Sequence, residues 1–242
     1  MLLNKQSWSL LNSLSQITES IVIQYPVTSM KDNSNSITAF LDLEKLGVEN
    51  FGGPFALLKL KEFNELTQIV GDDCNIEKDD KGIITVSNNA DISCKYYTTA
   101  LTDTITNAFS VSPKVLENVK SAINICTFEL TTQISDKLKK ASTLLNFEDM
   151  ILDITENGLK ITTTNKENSS NDFSISITEN VNTTANGKVF ISIRNLKRLP
   201  VANYNVNVKQ HPTRADVYVL EFIPKDNDVL TIIIPSKAYK AE

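Results

Sequence analysis

The stretch CTFELTTQISDKLKKASTLLNFEDMILDITENGLKITTTN, residues 126–165, changes its apolar rhythm repeatedly. CTFELTT alternates, SDKLKKASTLL places Leu138, Ala141 and Leu145 three and four apart, and MILDITE and LKITTTN alternate again around the polar turn ENG. Period two predicts strands buried on one face, and spacing of three and four predicts a helix lying on that face. DFSISIT (172–178) adds a further strand, with Phe173, Ile175 and Ile177 on one side and Ser174 and Ser176 on the other. The order is therefore strand, helix, strand, turn, strand, strand.

The same order recurs upstream and downstream. PFALLKL (54–60), KEFNELTQIV (61–70), DCNIEKD (73–79), IITVSNN (83–89) and ADISCKYYTT (90–99) repeat it, with Phe63, Leu66 and Val70 as the helical stripe. KVFISI (188–193), RNLKRLP (194–200), YNVNVKQ (204–210), VYVLEFIP (217–224) and VLTIIIP (229–235) repeat it again. The N-terminus carries a looser version without an opening strand: KQSWSLLNSLSQIT with Leu10, Leu14 and Ile17, then ESIVIQY and SITAFLDL. A repeated unit outranks any local motif as evidence of architecture. Grouped in pairs, the units predict an α+β protein of two similar domains, 1–108 and 125–242, each with two helices packed on antiparallel sheets. The stretch NAFSVSPKVLENVKSAIN (107–124) fits neither pattern, so residues 109–124 read as an interdomain connector.

Composition sets the class. At 242 residues with 41% hydrophobic content, seven Gly and seven Pro, the chain should fold throughout as two domains. No apolar run reaches the roughly 18 residues of a membrane span, and MLLNKQSW lacks the layout of a signal peptide, so a cytoplasmic protein is expected. Cys74, Cys94 and Cys126 are odd in number and widely spaced, which indicates buried free thiols rather than disulfides or a zinc site.

The net charge of −5 is unevenly spread. Counting Lys and Arg against Asp and Glu, the helical windows 5–18, 59–71, 135–146 and 192–200 carry +1, 0, +2 and +3, which leaves −11 for everything else. At about 100° per residue, Lys139 and Lys140 fall opposite the Leu138 stripe with Lys137 on a flank. Arg194 and Arg198 face away from Leu196 and Leu199, with Lys197 beside them. The first helix offers Ser9, Asn12, Ser15 and Gln16. All four helices should lie on one side of the sheets, a basic or polar surface suited to phosphates and blind to base sequence.

No catalytic signature accompanies this surface. His211, in VKQHPTR, has no Cys or His spaced as a metal partner and no nucleophile beside it, and reads as a loop residue. Gly52 and Gly53 before Pro54 read as a turn, and Asp72–Asp73 and Asp79–Asp80 lack calcium-loop spacing. No metal and no cofactor is expected. A carboxylate enzyme has only the acidic residues in its favour.

LNKQSWSLLNSLSQI, FALLKLKEFNELTQIVGDD and FEDMILDITENGLKI together resemble DNA polymerase sliding clamps, the processivity factors, most closely those of the T-even bacteriophages, a type similar in fold to proliferating cell nuclear antigen. The resemblance runs in order along nearly the whole chain. It implies a non-enzymatic homotrimeric ring that encircles double-stranded DNA, is opened by an ATP-dependent clamp loader and tethers a replicative DNA polymerase, in the cytoplasm of an infected cell if viral. Lys5, Lys61, Lys137, Lys139, Lys140, Arg194, Lys197 and Arg198 would face the DNA. Strand 91–98, with Ile92, Cys94 and Tyr96, would meet strand 172–178 of the next copy, with Phe173, Ile175 and Ile177. Phe109, Val111, Val115, Leu116, Ile234 and Pro235, before the tail SKAYKAE, would receive a partner's hydrophobic peptide. The rival expectation is a β-rich virion or scaffold protein whose helices are plain core covers.

Overall fold

The computed structural model describes residues 5–48, 53–71, 74–88, 92–165 and 171–237, with the backbone alone for residues 5–9 and 215. Gly52, Asp72, Asp73 and Asp91, and the tail beyond Lys237, lie outside the described residues. The chain divides into two compact units, Met1–Pro113 and Lys114–Glu242.

In the first unit, helix α1 (Lys5–Leu14) leads into β1 (Ile21–Ile23), β2 (Val27–Lys31) and β3 (Thr38–Asp42). Strand β4 (Phe55–Leu57), helix α2 (Leu60–Val70), β5 (Asn75–Lys78), β6 (Ile83–Ser87) and β7 (Ser93–Tyr97) follow, and helix α3 (Asp103–Phe109) closes the unit. All pairings are antiparallel: β1 with β4, β2 with β3, and β5, β6 and β7 in sequence. Met30, Ala39, Leu41, Leu60 and Phe63 are buried in its core.

The second unit opens on α4 (Pro113–Ser121), whose first residue marks the division, and β8 (Ile123–Leu130). Helix α5 (Thr132–Leu144), β9 (Asp149–Thr155), β10 (Gly158–Thr164) and β11 (Asp172–Ile177) form one module. After the short β12 (Asn182–Thr183) come β13 (Gly187–Ser192), α6 (Ile193–Lys197), β14 (Tyr204–His211), β15 (Arg214–Pro224) and β16 (Leu230–Pro235). The sheets run in the orders β11-β10-β9-β13 and β12-β8-β14-β15-β16. Met150, Leu152 and Ile154 of β9 are buried while Asp153 and Thr155 are exposed, the expected alternation.

The repeated order is thus present: β4-α2-β5-β6-β7, β8-α5-β9-β10-β11 and β13-α6-β14-β15-β16, with α1-β1-β2-β3 lacking its opening strand. Four elements escaped the sequence reading, among them the two-residue β12. Strand β2 is short and polar, although Thr28 and Met30 point inward. Helix α3 is announced by Thr102, whose hydroxyl accepts from the Ile105 amide at 3.2 Å. Helix α4 begins with a proline at a position that needs no amide donor, and fills most of the stretch expected to be a connector. No helix among the described residues is long and apolar enough to cross a membrane.

Helix α5 departs from its expected orientation. Its buried stripe is Ser135, Leu138 and Ser142, so Leu144 and Leu145 are exposed. The cause lies just beyond the helix. Asn146 adopts φ 52°, and the Phe147 amide donates back to the Ser142 carbonyl at 2.9 Å. Beyond this left-handed cap Phe147 is buried, whereas Leu145 is exposed. The two small serines let the helix turn by roughly 65° relative to a Leu138–Ala141–Leu145 stripe.

Buried polar groups are otherwise well provided for. Asp32 accepts from the amides of Ser36 and Ile37. Lys209, with only 10% of its side chain exposed, pairs with Glu221 at 3.1 Å and donates to the Val119 carbonyl at 3.0 Å, which fastens the last turn of α4 to the sheet. Asn64 is the exception. It is 2% exposed on the core side of α2, and neither its side-chain oxygen nor its nitrogen has a partner. An unmet buried polar group costs about 1–3 kcal/mol. Asn64→Leu is therefore expected to raise the thermal midpoint by a few degrees, roughly 1 kcal/mol, measured by calorimetry.

Candidate nucleic-acid interface

Each unit sets two helices side by side on one face of its strands: α1 beside α2, and α5 beside α6. Their outward faces differ in charge. On α2, Lys61 is exposed but lies 3.8 Å from Glu65, and Lys59, the residue that caps the helix start, lies 3.0 Å from Glu62, so both cations are matched within about one turn. Lys5 begins α1, and its side chain lies outside the described residues.

The second unit carries the positive face. Rotation of α5 points Lys137 and Lys140 outward, together with Leu144, which is 83% exposed. Lys137 thus moves from the expected flank to the outer face. Lys139 makes the opposite move. It is half-buried, and burial pushes its ammonium below the ordinary lysine range against a smaller opposing effect of Asp136. On α6, Arg194 and Lys197 are exposed, whereas Arg198 caps the helix C-terminus half-buried and engaged with neighbouring groups. Arg194 meets Glu148 at 2.9 Å. Sequence reading missed Glu148 because it follows α5 and precedes β9, outside every helical window. Its only signal is its place in the loop FED that returns the chain to the sheet.

The residues expected at subunit contacts lie on two free sheet edges. Strand β7 pairs only with β6, and β11 only with β10, among the described residues. Cys94 and Tyr96 are half-buried toward α2, with the Tyr96 ring edge-on to Phe63 at 5.0 Å between centroids. Burial raises the Tyr96 phenol above its ordinary value. Ile92 is exposed beside the edge, Phe173 and Ile175 are half-buried, and Ile177 is buried within its own unit. Of the expected peptide-binding residues, Phe109 and Val111 are half-buried at the end of the first unit, and Val115 and Leu116 are half-buried on α4. Pro235 is exposed. Ile234 is fully buried opposite Leu220 of β15, so it has no surface to offer a partner, a correction to the expectation.

His211 is exposed at the end of β14, where its Nδ1 accepts from the Thr213 amide at 3.3 Å. The Cys126 thiol is pushed up to about 11 by burial, which makes it a packing group. No group of three His, Cys, Asp or Glu able to hold a metal occurs among the described residues.

Two units built from strand, helix and antiparallel strands, with paired helices on one face, define a clamp-type architecture. No family model and no curated protein sequence matches the chain. Solved structures do. Proliferating cellular nuclear antigen from Entamoeba histolytica superposes with a TM-score of 0.69 at 13% identity, over 96% of this chain and 95% of that one. The A. fulgidus PCNA, solved with the C-terminal region of FEN-1 bound, gives 0.69 at 9% identity over the full length of both chains. The PCNA2–PCNA3 complex from Sulfolobus tokodaii gives 0.69 at 9% identity over 99% and 98%. The fold is that of the sliding clamps.

Lys139 supplies a test of the α5 orientation. Its folded-state pKa lies below that of the unfolded chain, so its charged form costs stability at neutral pH. That cost should fade as pH rises through the folded value toward the ordinary lysine value near 10.4. Labelled lysine amines followed by NMR should show Lys139 titrating early, and Lys139→Met should flatten this alkaline part of the stability profile.

Proposed function

We propose that the chain is a DNA sliding clamp without catalytic activity, of the T-even bacteriophage type: three copies close into a ring around duplex DNA and tether a replicative polymerase. The observation that carries the reading is the outward cationic face of α5 and α6 on an otherwise acidic chain with the clamp fold. Lys137, Lys140 and Lys197 are exposed and have no ion-pair partner among the described residues, which suits contact with phosphates and tolerance of any base sequence. The half-exposed apolar residues Val115 and Leu116 of α4 are offered to polymerase or loader peptides. An ATP-dependent loader would open the ring.

Ring closure would join β7 of one copy to β11 of the next, because each edge has unmet backbone groups and an inward apolar row. β7 does not suit itself: antiparallel self-pairing centred on Lys95 sets two lysines opposite each other. Against β11, Lys95 meets Ser174 with Asp172 on the diagonal. Parity allows only registers that keep Cys94 and Tyr96 on the face of Phe173 and Ile175, and the greatest overlap sets Cys94 opposite Ile175.

Two experiments test this reading. On primed circular DNA with polymerase and loader, the protein should lengthen products, and Lys137→Glu, Lys140→Glu and Lys197→Glu together should abolish the effect while the protein stays folded. Unchanged product lengths would remove the clamp reading. Under mild oxidation, Ile175→Cys should link to the native Cys94 of a neighbour and give a covalent species of about 81 kDa, three copies of 26.9 kDa. Ser174→Cys, on the opposite face, should stay unlinked.

A further inference from the structure

One of the outward cations of the second unit is already occupied. Arg194 Nη2 lies 2.9 Å from Glu148 Oε1, and both side chains are well exposed, at 74% and 59%. Glu148 is held in place through its backbone. Its amide donates to the Asn165 side chain at 2.9 Å, and its carbonyl accepts from the Ile193 amide at 3.0 Å. The loop between α5 and β9 is therefore fastened to the start of α6, and it presents a carboxylate to the first arginine of that helix. The first unit repeats the arrangement on α2, where Glu62 and Glu65 face Lys59 and Lys61.

A guanidinium engages carboxylate and phosphate through the same planar fork. We infer that Glu148 is an internal competitor for nucleic-acid phosphate: it holds Arg194 back, and the strength of the grip is set by exchange of Arg194 between carboxylate and phosphate. The inference rests on the sliding-clamp reading of α5 and α6. An exposed ion pair of this kind is weak and screened by salt, so a backbone phosphate can displace the carboxylate. Each phosphate contact withheld shallows the salt dependence of binding, a property that favours movement along DNA over residence.

The test is a cycle of Glu148→Gln, Arg194→Gln and the double variant, with duplex binding followed by fluorescence anisotropy across a salt series. Glutamine keeps the size of Glu148, and the anchoring hydrogen bonds use its backbone. Glu148→Gln should tighten binding at low salt on the order of threefold or more, and steepen the plot of log K against log salt by about 0.9 per arginine released. Arg194→Gln should weaken binding less in the native background than in the Glu148→Gln background, and should cancel the gain in the double variant. Equal losses from Arg194→Gln in both backgrounds would mean that Arg194 already rests on phosphate, which overturns the inference. Lys140→Gln separates this from failure of the clamp reading: it should weaken binding in every background, and if it is silent the reading and the inference fall together.

Discussion

Burial of one face of each sheet under a helix is the constraint on which the rest of the molecule depends. In β9 the inward row of Met150, Leu152 and Ile154 alternates with outward residues, and α5 packs against β10 and β11 of the same sheet and against α6. Full burial of a side chain such as Leu152 contributes about 2 kcal/mol or more. The helices are correspondingly one-sided. Their buried stripes are committed to the sheets, which leaves the opposite faces free to carry whatever chemistry the protein needs, at little cost to the fold.

That freedom explains how an acidic protein can bear a cationic surface. Lys137, Lys140, Arg194 and Lys197 occupy positions that the core does not use. Glu148 and the glutamates of α2 moderate the charge locally. By contrast, the buried Lys209–Glu221 pair is structural. Removal of one partner would leave an uncompensated charge inside the second unit and release the end of α4.

Much of the fold was legible because periodicity reports burial directly. Four modules, their order and most strands follow from residues two, three and four apart. Helices α3 and α4 were missed because their signals are caps rather than stripes: Thr102 before Asp103, and Pro113 at a helix start. Of the candidate site, the basic character of α5 and α6 was readable as a count of charges. Which of those charges are available was not, since Lys139 is half-buried by the orientation of its helix and Arg194 pairs with Glu148, a residue that no helical window contains.

The sequence by itself determined the module order, the apolar stripes of the four module helices and of the alternating strands, and the concentration of positive charge on α5 and α6, because these are properties of residue spacing along the chain. Only the tertiary structure decided the rotation of α5. The chain turns back at a left-handed Asn146 and buries Phe147 in place of exposed Leu145, and the small Ser135 and Ser142 line the buried side of the helix. That rotation moved Lys137 outward and Lys139 inward. The reason is physical: a helix settles where the whole module buries the most apolar surface, and residues beyond its own end take part in that choice.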